Sequence, residues 1–282
     1  MKYARIVEKV SAHPWAITPE AHRSIRWLLA QKLAGDSEAL AADLEKFKVA
    51  ADRGTDIWGE VNPGMTADGG IARIPIQGIL ARGVSMIEKS CGVCDYEDVG
   101  EEVQEAATDP AISGILLDVD SPGGAINGLY ECADLIAEAA KIKPVIAFTA
   151  GQMCSAAYYL SAGATAICAT PSSDVGSIGC ILQMLDDCGA LALEGLKMET
   201  FRSDPLKATG ASGAPLSDQQ KAYLQALVDE AATNFKGWVS GHRRGVDGAA
   251  MDGRVFSAEV AMSMGLIDQI VGSDTEAASL IN

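Results

Sequence analysis

The stretch GILLDVDSPGG, residues 114–124, decides the fold. Its first seven residues are almost all apolar, as in a strand buried on both faces. Strands of that kind belong to mainly parallel sheets covered by helices. The run ends in Ser121-Pro122-Gly123-Gly124, a turn signal. A helical pattern follows over 127–140, then a second apolar strand, PVIAFTA, over 144–150. Working outward, IARIPI (71–76) and TAICAT (165–170) read as further strands, and Val99 and Val103 mark a helix over about 96–107. Alternating strand and helix means an α/β core.

The flanks are organised differently. Thr18-Pro19-Glu20 starts a helix, with Thr as N-cap and Pro in the first turn. It runs to about Leu33 and stops at Gly35, and Leu40, Leu44 and Phe47 mark a second helix. Residues 1–52 are therefore expected as a helical appendage, and 53–70 as a glycine-containing linker. The main domain spans 71–272, and 273–282 is expected as a tail. Beyond TAICAT the pattern predicts a turn and strand over 172–184, a helix over 185–193, a strand over 197–202 and a loop over 203–216. Ser217 and Gln220 form a capping box for a long helix with Leu224, Leu227, Val228, Ala231, Phe235, Trp238 and Val239 on one stripe. GRVFSAEVAMSMGLIDQIVG (253–272) reads as turn, helix, glycine stop and final strand.

Composition excludes several function classes. Of 282 residues, 48% are hydrophobic and 21% charged, ordinary for a globular protein. No apolar run reaches the roughly 18 residues of a membrane span, and MKYARIVEKVSAHPW lacks an apolar core, so neither a signal peptide nor an anchor is expected. Net charge is −16, and an acidic body repels nucleic acid. The basic charge gathers in residues 1–34, with six Lys/Arg against two Asp/Glu. Seven cysteines, an odd number, fit a reducing compartment better than a disulfide framework. Cys91-Gly-Val-Cys94 has no second ligand pair for zinc, so no metal or cofactor is expected.

Three features carry possible chemistry. Gly123-Gly124 lets backbone N–H groups converge on one spot, as an oxyanion requires, although the same residues make an ordinary turn. GQMCSAAYYLSAGA (151–164) puts Cys154 and Ser155 at a strand-to-helix junction, where a helix N-terminus favours developing negative charge. Small residues there equally serve helix packing. A base is the third requirement. His13, His22 and His242 stand apart from the core strand ends and read as surface residues. A lysine serves instead when burial lowers its pKa, and Lys207 sits in a loop between Pro205 and Gly210. An exposed loop lysine is the competing reading.

Taken in order, DVDSPGGAINGLYECADLI (118–136), GQMCSAAYYLSAGA, DVGSIG (174–179), DPLKATG (204–210) and GRVFSAEVAMSMGLID (253–268) resemble the signal peptide peptidase A family of serine proteases. The resemblance covers about residues 70–272 and implies a Clp-protease/crotonase-like spiral ββα core carrying the N-terminal helical appendage. PWAITPEAHRSI (14–25) is most similar to the phage capsid-assembly, or prohead, branch. The family implies Ser155 as nucleophile, Lys207 as general base and Ser177 as the serine that orients the lysine. It implies Gly123, Gly124 and the Ala156 N–H as the oxyanion hole. One departure stands out: Cys154 occupies a place where the family has Gly or Ala. With no histidine to make a thiolate, and with successive helical side chains about 100° apart, Ser155 is favoured over Cys154.

The resemblance implies a Ser-Lys endopeptidase that cleaves scaffold or capsid proteins, forms homo-oligomers and works in the bacterial cytoplasm or inside assembling proheads. The alternatives are a cellular signal-peptide-degrading peptidase of the same family, a crotonase-type acyl-CoA enzyme using the paired amides, and a non-catalytic assembly protein.

Overall fold

A computed structural model describes residues 14–19, 21–23, 64–90 and 92–281. Three sheets form among them. The largest has the spatial order Gln269–Ile270 (β13), Ala166–Ala169 (β10), Val145–Thr149 (β8), Gly114–Asp120 (β6), Ile71–Gln77 (β3) and Thr66–Asp68 (β2). Its neighbours run parallel except β2 against β3. A second sheet sets Trp15–Ile17 (β1) beside Gly123–Ala125 (β7), then Ile79–Ala81 (β4) and Val93–Asp95 (β5). The third joins Val255–Ser257 (β12), Asp174–Gly176 (β11) and Gln152–Cys154 (β9).

The element order explains the three sheets. Each long strand is followed by a short one that turns into a smaller sheet: β3 by β4, β6 by β7, β8 by β9 and β10 by β11. Helices then return the chain: Met86–Ser90 (α1) and Tyr96–Thr108 (α2), Leu129–Ile142 (α3), and Ala156–Ala162 (α4). This repeated ββα unit is the crotonase-like spiral. Later helices are Cys188–Leu193 (α5), Asp218–His242 (α6), Ala258–Ser263 (α7) and Asp274–Ala278 (α8).

The strand that decided the fold is buried on both faces. Ile115, Leu117 and Val119 enter the main core with Val145 and Ala147 of the next strand. Leu116 points the other way, into a second cluster with Ile146, Phe148, Cys168, Val271, Ala277 and Ile281. Period-2 geometry sends successive side chains to opposite faces, and both faces are covered here.

Three expectations are corrected. Of the expected tail over 273–282, the described residues 273–281 do not trail: α8 and Ile281 cover the second face of the large sheet, and a methyl added at Gly114 would lie 2.3 Å from Ile281 Cγ2. Part of the expected linker, Thr66–Asp68, pairs with β3 as the sheet's edge strand. No strand forms over 197–202, which is exposed throughout and has no apolar face to bury. At the other end, Trp15–Ile17 is a strand, although the Thr18 cap does form: its hydroxyl accepts the Ala21 N–H at 3.3 Å. The rest of the expected helical appendage lies outside the described residues. So does Cys91. Ser217 and Gln220 close the expected capping box of α6, whose Ala231, Phe235 and Val239 are buried while Leu224, Leu227 and Val228 are half-buried.

Candidate active site

The β8–β9 corner builds the site. Gly151 lets the Asp120 carboxylate approach, because a Cβ would lie 2.4 Å from Asp120 Oδ1 and push it aside. That carboxylate also accepts the Gln152 N–H at 3.0 Å, fixing where β9 begins. Ser121 then ties β9 to the turn before β7: its N–H donates to the Gln152 carbonyl at 2.7 Å and its own carbonyl accepts the Cys154 N–H at 3.1 Å. The Ser-Pro-Gly-Gly turn and the GQMCS stretch, 30 residues apart in sequence, are thus bonded side by side.

Ser155 stands at the end of β9, immediately before α4, with φ 54° and ψ −118°. L-residues reach positive φ only at a cost, and such strain gathers at functional sites. Its N–H donates to the Gly176 carbonyl at 2.7 Å, and its hydroxyl is fully buried, with a long 3.5 Å approach to the Gly179 carbonyl. Gly123, at φ +104°, closes the other side: a Cβ there would lie 2.9 Å from Ser155 Cβ and 3.0 Å from the Ala156 nitrogen. Only glycine fits that angle and that gap. The Gly123 N–H donates to Ser121 Oγ at 3.1 Å. Gly124 stands in register with Ala16 of β1.

Structure therefore brings Gly123 against Ser155 and Ala156, while Gly124 lies between Ala16 and Leu80, and Ser177 follows the peptide that binds the Ser155 N–H. Ser177 is buried, has φ 53°, and donates its N–H to the Arg254 carbonyl at 2.7 Å. Lys207 is not joined to this group. It lies exposed on the short 3₁₀ turn Pro205–Ala208, and its ammonium makes no hydrogen bond or ion pair among the described residues. The turn is held from elsewhere, by Gln220 Nε2 donating to the Pro205 carbonyl at 3.1 Å. Nearby, Asp187 accepts the Gly213 N–H at 2.7 Å and the Ser212 hydroxyl.

The neighbouring thiol is placed differently from the sequence-based reason. Cys154 ends strand β9 and Ser155 is the N-cap of α4, so neither side chain is set by helical spacing, and Cys154 Sγ is 3.7 Å from the Asp174 carbonyl. Burial pushes the thiols of Cys94 and Cys180 up to about 12. His22 is buried, not exposed as expected: Nδ1 lies 3.1 Å from Gln183 Oε1 and the ring 6.1 Å from that of Trp15. His242 is exposed against Trp238, and His13 lies outside the described residues.

Residue-by-residue reading missed β1. Pro14 and Pro19 bracket Trp15-Ala16-Ile17-Thr18, a short apolar run that reads locally as a lead-in to a helix. Its partners lie more than a hundred residues away: Trp15 exchanges backbone bonds with Ile181 at 2.8 and 2.9 Å, and the Thr18 N–H donates to the Pro122 carbonyl at 3.0 Å.

The ββα spiral thus sets a serine with positive φ at a strand–helix corner, against Gly123. The chain belongs to peptidase family S49, whose model matches residues 137–281. It is 32% identical over 206 residues to capsid assembly protease C of Escherichia phage lambda, covering 72% of this chain and 47% of the phage protein. It is 27% identical over 246 residues to the head-tail preconnector protein GP5 of Enterobacteria phage P21, covering 86% and 48%. The chain thus spans about half the length of these relatives. Among solved structures, an enoyl-CoA hydratase/isomerase family member aligns over 77% of this chain and 73% of its own, at 16% identity and a TM-score of 0.41.

Proposed function

We propose that this chain is a serine endopeptidase in which Ser155 attacks the peptide carbonyl. Lys207, in its neutral form, takes the Ser155 proton and then gives it to the leaving amine, while Ser177 orients the lysine. Gly124 and Ala156 N–H groups, with Gly123 shaping the turn, receive the oxyanion. The acyl-enzyme on Ser155 is resolved by water. The carrying observation is the strained Ser155 set against Gly123 and the Ala156 nitrogen.

This reading requires the 203–216 segment to bring Lys207 to Ser155. Little core packing opposes that, because the wing from 185 to 204 is exposed almost throughout. Leu193 and Phe201 on it are 92% and 96% exposed. Large apolar side chains in water mark an association surface, which supports a homo-oligomer that covers the wing and orders the lysine. The name of the phage lambda relative, a capsid assembly protease, supports a capsid-assembly substrate, for which capsid and scaffold proteins are the candidates. Among the described residues no helix is long and apolar enough to cross a membrane.

The test is wild type against Ser155→Ala with candidate capsid and scaffold proteins, cleavage sites being read by mass spectrometry, together with a fluorophosphonate probe. Cleavage and labelling of Ser155 in the wild type alone is the expected result. Turnover of an acyl-CoA without labelling would instead point to the crotonase-type alternative.

A further inference from the structure

Strand β1 lies between two backbone edges that meet at the serine. On one side Trp15, Ala16 and Ile17 pair antiparallel with Ala125, Gly124 and Gly123. On the other, Trp15 exchanges two backbone bonds with Ile181, two residues beyond Gly179, whose carbonyl faces Ser155 Oγ. An extended segment bonded along a sheet edge is the way a peptide ligand is held by strand addition. The Ala16 carbonyl oxygen comes to the catalytic corner itself. The point 2.3 Å from that oxygen, where a Cβ on Gly123 would stand, is also 2.9 Å from Ser155 Cβ and 3.0 Å from the Ala156 nitrogen.

Side chains sort as they would for a bound peptide. Trp15 and Ile17 share one face and form a small cluster of their own with Ile79, Ala125 and Ile181. Ala16 faces the other way and is fully buried in the main core. The occupancy is also imperfect: Trp15 is 4% exposed, yet its indole Nε1 is buried without a hydrogen-bond partner among the described residues. A buried unpaired donor opposes binding. The strand is short as well, and Pro14 and Pro19 at its ends offer no N–H to lengthen the ladder.

We propose that residues 15–17 are the chain's own occupant of its peptide-binding groove. Substrate enters only when β1 withdraws, and the groove selects an extended peptide with large apolar residues at alternate positions and a small residue between them. The proposal rests on the serine peptidase reading of Ser155 and adds to it a competitor built into the chain.

The test uses the full chain and the rate at which a fluorophosphonate labels Ser155. A groove open in about one molecule in ten would label about tenfold more slowly than an open one. Trp15→Ser/Ile17→Ser is expected to label about that much faster than wild type. A synthetic peptide of residues 12–19 is expected to slow that variant again, while the same peptide with Ala16→Phe does not. Hydrogen exchange on the wild type gives a second reading that needs no mutant to fold. Once Ser155 carries a peptidyl phosphonate, the Trp15 and Thr18 amides should lose protection. Equal labelling of wild type and folded variant, or amides that stay protected beside an occupied Ser155, would overturn the groove proposal alone. If Ser155 is labelled in neither protein, the nucleophile reading falls and takes the proposal with it.

Discussion

Ser155 and Ser177 are the two non-glycine residues with positive φ among those described, and a single peptide group connects them: the Ser155 N–H donates at 2.7 Å to the Gly176 carbonyl, whose peptide leads into Ser177. Neither backbone would choose this conformation alone. Each is held because β9 and β11 pair from Gln152↔Asp174 to Cys154↔Gly176, leaving both chains to turn at the same level.

The first prediction separates strain from chemistry. Ser155→Gly and Ser155→Ala both remove the nucleophile, and they differ by one Cβ at φ 54°. The glycine variant is expected to be more stable by about 1 kcal/mol, because left-handed backbone costs an L-residue about that much. Urea titration of the two checks it. Equal stability would mean that the serine conformation is not strained.

Lys207 supplies the second. Lys207→Arg keeps the positive charge but cannot give up its proton at working pH. If the lysine is the base, Lys207→Arg and Lys207→Ala both lose at least about 100-fold in kcat. Both should keep the wild-type melting temperature, since this side chain is exposed and makes no bond among the described residues. Wild-type rates in both variants would remove Lys207 from the mechanism.

The glycine turn gives a steric prediction. A Cβ at Gly124 would lie 2.0 Å from the Leu80 carbonyl oxygen, backbone that cannot swing aside. Gly124→Ala is expected to cost about 3 kcal/mol and to abolish labelling of Ser155. Gly179→Ala is the control, with its nearest neighbour an ordinary 3.8 Å away. It should stay within about 0.5 kcal/mol of wild type. Similar denaturation midpoints for the two variants would contradict the packing described.

Ile281 tests the role of the C-terminal segment. It is 8% exposed and belongs to the cluster under the large sheet. Ile281→Ala is expected to cost about 2–4 kcal/mol. A dispensable tail would tolerate the change with no shift in the unfolding transition.

Glu102 gives a pH dependence. Burial holds its carboxyl above the usual range, Asp98 and Glu105 act in the same sense, and the Met65 backbone opposes them. The folded state therefore binds this proton more tightly than the unfolded chain. Stability is lost as pH rises from the unfolded pKa through the folded one. Glu102→Gln has no proton to lose. Its melting temperature is expected to exceed wild type at neutral pH, with the gap closing toward about pH 3. A constant gap across that range would show that charge is not the cause.

The α/β class was legible in GILLDVD and PVIAFT because burial on both faces leaves an unmistakable local mark: no polar alternation. The α6 cap was legible because Ser217 and Gln220 act within one turn. Residues 197–202 misled because Met198 and Phe201 look like strand residues, yet nothing in the described structure covers them.

Sequence by itself determined the long core strands and the helices between them, the glycine pair, the serine and the family resemblance, since each rests on neighbouring residues. Only the tertiary structure decided that residues 15–17 lie against β7 and Ile181, that residues 274–281 close the core, and that Lys207 is exposed on a 3₁₀ turn. Those facts depend on pairings across more than a hundred residues, or on which surface is left for a segment to cover. No local pattern records either one.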